Sequence, residues 1–378
     1  TMIIPFLPLY LMEVGATPDN VKMWSGISFS VTFLIAAILA PYWGRLADRS
    51  GKKRMAMRAG YSLAFTYVLG YFVGSPLAMV GMRAVQGVAN GFVPAAMALV
   101  ASTSPQHKLA MNLGILQTGL VVGSIIGPLI GGTLAHTVGM RATFLVAAVS
   151  IAIATLTVKF LVYEPPIASA KQEQSIGQYF REALNNRMLL VALSLLFCTQ
   201  IVSMLLQPVL TLYVMELQHN SEGAALATGI VFSLAGVAGA IAAPIWGRFN
   251  QTMGFRKILV LAFGGAGLFN LCQYFVGNIY QFGAIQFMYG LFIIGVYPTL
   301  NTIAVSSNGG KNQGGVFGLI QVANQLGSMV GPILGGVVGT WLGIRPVFIF
   351  TAGILLLLST LVFIRMPDGQ RAVIKGNQ

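Results

Sequence analysis

In the stretch PLAMVGMRAVQGVANGFVPAAMALV (76–100), Arg83 is the one strongly basic residue deep within an apolar run. Holding a guanidinium in hydrocarbon costs about 2.5–3.5 kcal/mol on insertion scales, so Arg83 is expected to face a wet cavity or a polar partner. Gly87, Asn90 and Gly91 follow it at helical spacing, with Gln86 adjacent, so one face of this helix is narrow and polar. The complementary chemistry, an acid within a span, is missing: all nine acids fall at helix ends or in loops. Glu13 and Glu216 are the two that could carry a proton at an outer mouth; the other reading is that they are solvated helix ends.

Neutral hydrogen-bonding residues line up in the second half. Gln321, Asn324, Gln325 and Ser328 recur at i, i+3, i+4 and i+7, and Gln200, Ser203 and Gln207 follow the same rule. Gln286, Tyr289, Tyr297 and Asn301 fall close to one stripe. With Phe29, Asn90 and Gln117 from the first half, these are candidates for a substrate cavity that is apolar on one side and hydrogen-bonding on the other. Phe33 and Phe92 would extend its apolar wall. The same polar groups serve equally as interhelical glue, at about 0.6 kcal/mol per contact. With Arg83 present and no midplane acid, the field in such a cavity is positive, favouring zwitterionic or anionic amphiphiles over simple lipophilic cations. Catalysis is not indicated. His107, His136 and His219 are scattered in loops or at helix ends, and no Ser–His–Asp, metal or phosphate-binding cluster occurs. Cys198 and Cys272 lie inside apolar runs and suit packing.

The elements that must position these residues are membrane spans. Hydrophobic residues make up 56% of the 378-residue chain and charged residues 8%, against roughly 25% charged in a soluble domain. Apolar runs near 1–13, 24–43, 55–74, 76–98, 109–135, 139–162, 188–215, 223–246, 257–276, 279–304, 314–340 and 344–365 predict twelve spans. The first is too short to cross, which places Thr1 partway along a helix whose start is absent. The net charge of +13 suggests nucleic acid until the cations are mapped. Arg45, Arg49, Lys52, Lys53, Arg54 and Arg58 crowd one loop, and Lys108, Arg248, Arg256, Lys257 and Lys311 lie in loops on the same side. That bias orients a membrane protein, with both termini cytoplasmic, and no nucleic-acid partner is expected. The polar stretch 163–187 divides an N-terminal bundle (1–162) from a C-terminal one (188–366), and 367–378 forms a cytoplasmic tail. Within the linker, Ile176, Tyr179, Phe180, Ala183 and Leu184 have the spacing of a short surface helix; an unstructured linker fits equally well.

The halves repeat. PYWGR (41–45) returns as PIWGR (244–248), and LYLME (9–13) as LYVME (212–216), each 203 residues on. Gly26, Phe29 and Ser30 match Gly229, Phe232 and Ser233. Pro94 matches Pro298 at 204, and GSIIGPLIGGTLAHTVGMR (123–141) returns at 204 as GSMVGPILGGVVGTWLGIR (327–345). Glycines four apart let helices approach closely in lipid. Two parallel six-helix repeats are the plan of transporters with a site near the midplane.

Three motifs then carry a resemblance that covers the whole chain. GRLADRSGKKR (44–54) resembles motif A of the major facilitator superfamily, MRAVQGVANG (82–91) its motif with an arginine buried in the fourth helix, and the run 123–132 motif C of its drug–proton antiporters. PFLPLY and MWSGISFSVTFL further resemble multidrug efflux transporters of the MdtG type and the quinolone exporters of Gram-positive bacteria. The resemblance implies an all-α membrane protein of twelve helices in two pseudo-symmetric bundles in the bacterial cytoplasmic membrane. It would export small amphipathic compounds by alternating access, as a monomer among lipids, with the proton gradient as energy source and no cofactor. By the same resemblance Gly44, Asp48, Arg49, Gly51 and Lys52 form a conformational latch, with Gly44 and Gly51 making its turn. Arg83, Gln86 and Gly87 couple substrate to proton movement, and Gly123, Gly127, Pro128, Gly131 and Gly132 close the outer side. Export or flipping of a native metabolite or lipid is the alternative; uptake by symport is disfavoured by motif C.

Overall fold

The structure is a computed structural model that describes residues 2–104, 108–164, 186–218, 223–307 and 313–366. The expected surface helix of the linker, the tail, and the side chains of Asp48 and Arg49 lie outside the described residues. Every regular element among the described residues is helical.

In the first half a 3-10 turn (Ile4–Phe6) leads into α1 (Leu7–Glu13), followed by α2 (Val21–Ser50) and α3 (Lys52–Tyr71). The fourth span is two helices, α4 (Pro76–Ala89) and α5 (Phe92–Thr103), and α6 (Leu109–Thr137) and α7 (Met140–Leu161) follow. In the second half the seventh span divides into α8 (Arg187–Leu205) and α9 (Gln207–Gln218). Then come α10 (Ala224–Thr252), α11 (Phe255–Cys272), a tenth span split into α12 (Ile279–Ile293) and α13 (Val296–Ser307), α14 (Gln313–Trp341) and α15 (Ile344–Arg365). Among the described residues ten stretches are long and apolar enough to cross a membrane, while Ile4–Glu13 is short. The remaining rod, α3, begins with Lys52, Lys53, Arg54 and Arg58, which dilute its hydropathy.

Two expectations need correcting. The second span does not stop at residue 43 for a loop; α2 runs on to Ser50, because nothing in GRLADRS interrupts a helix once started. Gly44 is therefore a helical residue with no neighbour among the described residues where its Cβ would be, and Gly51 makes the turn, at φ +101°. Three expected continuous spans are also broken, the fourth at Asn90–Gly91, the seventh at Leu206 and the tenth at Ile294–Gly295. Gly91 takes φ +118°, which a glycine adopts without steric cost. Pro208 cannot donate into α8 and ends it.

Breaks inside a span leave carbonyls to satisfy, and the two halves do so differently. In the fourth span Arg58 of α3 reaches over to donate to the Val88 and Asn90 carbonyls at 3.2 and 3.1 Å, its guanidinium stacked 3.5 Å from the centre of the Trp43 ring. In the tenth span Trp246, the repeat partner of Trp43, donates its indole N–H to the Leu291 carbonyl at 2.7 Å.

The chain divides into two compact units, Thr1–Glu173 with Glu222–Ile230, and Gln174–Ser221 with Val231–Gln378. Each is built from the same devices. Tyr10 is fully buried and donates to the Gly70 and Val73 carbonyls at the end of α3, with its ring 5.2 Å from Phe144. Its repeat partner Tyr213 donates to the Gln273 carbonyl just past α11, with its ring 4.8 Å from Phe348. Ser75 and Asn278, also partners, cap α4 and α12. Gly87 brings α4 against the Thr32 carbonyl of α2, and Gly290 brings α12 against the Ala235 carbonyl of α10. These pairs are 203 residues apart, whereas Gly91 and Gly295, and Phe144 and Phe348, are 204 apart. The extra residue of the second half thus lies between Gly290 and Gly295, at the break of the tenth span.

Candidate functional site

Each unit holds a polar cluster inside its spans. In the first, Arg83 projects from α4, 7% exposed, and its Nη1 donates to Gln86 Oε1 at 2.8 Å. The guanidinium lies over the Phe29 ring of α2, 5.4 Å from its centre. Thr32 Oγ1 donates to the Arg83 carbonyl at 3.1 Å. This bond and the missing side chain of Gly87 hold α4 close to α2, which brings Phe29 beneath Arg83. Nε and Nη2 of Arg83 are buried without a partner among the described residues.

In the second unit, Ser203, Gln200, Tyr297 and Ser328 form a chain. Ser203 Oγ and Tyr297 Oη are 3.1 Å apart, Tyr297 donates to Gln200 Oε1 at 3.0 Å, and Gln200 Nε2 donates to Ser328 Oγ at 2.9 Å. Tyr289 is buried in the same unit. Gln207, Asn301 and Asn324 each keep a buried carboxamide oxygen without a partner among the described residues. Gln325 is half-buried, and Gln321, like Gln117 of α6, is exposed. Gln286 departs from the expected stripe: it is buried and accepts from Gln273 Nε2 at 2.6 Å, because it occupies the position that Arg83 holds in the first half. Asn90 spends its carboxamide oxygen on the Gly91 N–H at 2.7 Å, stabilising the break of the fourth span.

At the turn between α2 and α3, Glu164, just beyond α7, accepts from the backbone N–H groups of Lys52 and Lys53 at 2.8 and 2.9 Å. An anion at a helix N-terminus satisfies orphan donors and complements the dipole. Its oxygen would stand 3.0 Å from a Cβ at Gly51. Composition near the turn offered no hint of Glu164, which is 112 residues away.

Glu13 and Glu216 are each in an ion pair. Arg141 Nε meets Glu13 Oε1, and Arg345 Nε meets Glu216 Oε1, both at 3.3 Å and with side chains 41–48% exposed. The signal for this was present: each arginine closes one copy of the glycine repeat, and each glutamate closes one copy of LYxME.

Along that repeat, Gly327 and Gly331 of α14 lie against α8, and Gly335 meets the Leu205 carbonyl. Gly131 of α6 likewise meets the Met2 carbonyl, and within the same unit Gly132 faces the Ala225 carbonyl while the Pro128 carbonyl faces Gly229. Gly127 is half-buried and Gly123 exposed.

Two six-span repeats with interrupted spans and buried polar clusters define a secondary transporter in class. The chain belongs to the Major Facilitator Superfamily, whose profile matches residues 1–242 and 197–378. It is 34% identical to the multidrug resistance protein MdtG of Proteus mirabilis over 94% of this chain and 89% of that protein. The MdtG of Klebsiella pneumoniae is also 34% identical, over 94% and 87%. Among solved structures, a POT family transporter in complex with 5-aminolevulinic acid shares the fold at a TM-score of 0.76 and 14% identity, over 96% and 92% of the two chains. The nucleoside transporter NupG, as its D323A mutant, does so at 0.74 and 16%, over 97% and 98%.

Proposed function

We propose that this protein exports chemically varied small amphipathic compounds across the bacterial cytoplasmic membrane by alternating access, in exchange for protons. The observation that carries the reading is the set of hydrogen-bonding atoms left over inside both units, on Arg83 in one and on Gln207, Asn301 and Asn324 in the other. Unmatched polar groups within spans mark a substrate path. The breadth of substrates is supported by the relation to proteins named for multidrug resistance over nearly the whole chain. The basic loops and both termini face the cytoplasm, and the protein acts as a monomer with the pH gradient as its energy source.

Inverted membrane vesicles test this directly. With an imposed pH gradient, acid inside, the unaltered protein accumulates a fluorescent amphiphile, and collapsing the gradient releases it. Arg83→Ala abolishes gradient-driven accumulation, while Glu13→Gln, which breaks only an exposed ion pair, reduces it less than twofold. Accumulation that ignores the gradient would sink the antiport reading.

A further inference from the structure

The Arg83 guanidinium has three nitrogens, and among the described residues only Nη1 has a hydrogen-bond partner, Gln86. The unpartnered two, Nε and Nη2, share one edge of the planar guanidinium, and their N–H groups point the same way. Two parallel N–H donors match the two oxygens of a carboxylate. The edge is rigidly presented: Gln86 fixes the opposite nitrogen, the Phe29 ring lies against the guanidinium face, and Thr32 holds the backbone beneath. The acids with described side chains lie elsewhere. Glu13 and Glu216 pair with Arg141 and Arg345, Glu164 caps α3, and Asp19 lies exposed in the turn between α1 and α2.

We infer that the Nε/Nη2 edge of Arg83 is the receptor for a carboxylate on the transported compound, so that favoured substrates join an apolar body to a free carboxylate. The inference rests on the export reading and gives it a substrate class. It is narrower than a positive field, which any cation would supply. A lysine at 83 keeps the charge but has no fork.

The test uses the full chain in lipid nanodiscs, with a fluoroquinolone carboxylic acid and its methyl ester as probes. The acid binds the unaltered protein at least about tenfold more tightly than the ester, and Arg83→Lys shrinks that preference to about threefold or less. Equal binding of acid and ester overturns the inference without need of any variant. So does a preference that survives in a folded Arg83→Lys protein, with folding checked by thermal unfolding. Both probes are also followed for export in vesicles. A binding preference with export of neither would overturn the export reading and support the carboxylate receptor; export of both with no preference would do the reverse.

Discussion

Glu164 shows how one side chain can decide whether a turn holds. Gly51 lets the chain reverse within a single residue, and the first two N–H groups of α3 then need acceptors. Both carboxylate oxygens are used for this. Glu164→Ala should lower stability by about 1 kcal/mol, the usual cost of a lost N-terminal cap. Glu164→Gln, with one carbonyl oxygen, should fall between the two, and thermal unfolding of the purified protein reads both. The exposed pairs Glu13–Arg141 and Glu216–Arg345 are a contrast, since ion pairs of such exposure contribute about 0–1 kcal/mol and weaken in salt.

Helices in this protein meet through absent side chains, and where a glycine sits decides what it does. Gly335 of α14 is in contact with the Leu205 carbonyl, so Gly335→Ala must push α14 away from α8 or shift the backbone. A cost of about 1–3 kcal/mol is expected, as for other overpacked interiors. Gly44 belongs to the same motif family as Gly51 by resemblance, but it lies inside α2, near its C-terminal end, with nothing among the described residues where its Cβ would be. Gly44→Ala should therefore be neutral or stabilising, by up to about 1 kcal/mol. A loss of folded protein in Gly44→Ala, seen by size-exclusion chromatography after heating, would contradict the helical placement. Arg58 illustrates a different economy, in which one element's side chain completes another element's backbone; its repeat position in α11 is an apolar residue, and Trp246 does the work there instead.

At the scale of the whole molecule, length changes are tolerated only where helical register is already interrupted. One alanine inserted between Ala89 and Asn90, which leaves the Asn90–Gly91 pair adjacent, would give the fourth span the length of the tenth and should leave expression and thermal stability within about 1 kcal/mol. The same insertion after Met82 would turn Arg83 away from Phe29 and α2, and no folded protein is expected in the membrane fraction. The span count and the repeat were legible because apolar length and a fixed offset are one-dimensional signals. The polar stripes were legible in part: Gln200, Ser203, Tyr297 and Ser328 do converge, while Gln286 turned to Gln273, a partner that no periodicity points to. Glu164 was not legible, since its contact joins residues more than a hundred positions apart, whereas the pairing of Glu13 with Arg141 was marked only by its recurrence in the repeat. The breaks escaped because each depends on the local backbone at one or two residues rather than on a pattern.

The single added residue between Gly290 and Gly295 bears on how two copies of a gene segment can drift apart. Within an unbroken helix it would have swung every later side chain by about 100°. At a break it swings none. Upstream, Gly290 still meets α10 as Gly87 meets α2, and downstream, Thr299 still faces Asn250 where Ala95 and Ala47 belong to one apolar cluster in the first half. The duplicated halves were thus free to become unequal in length while each kept its faces, with alanines in an apolar cluster on one side and a hydrogen bond on the other. A joint that does not transmit rotation is where such a protein can be edited, by descent or by hand.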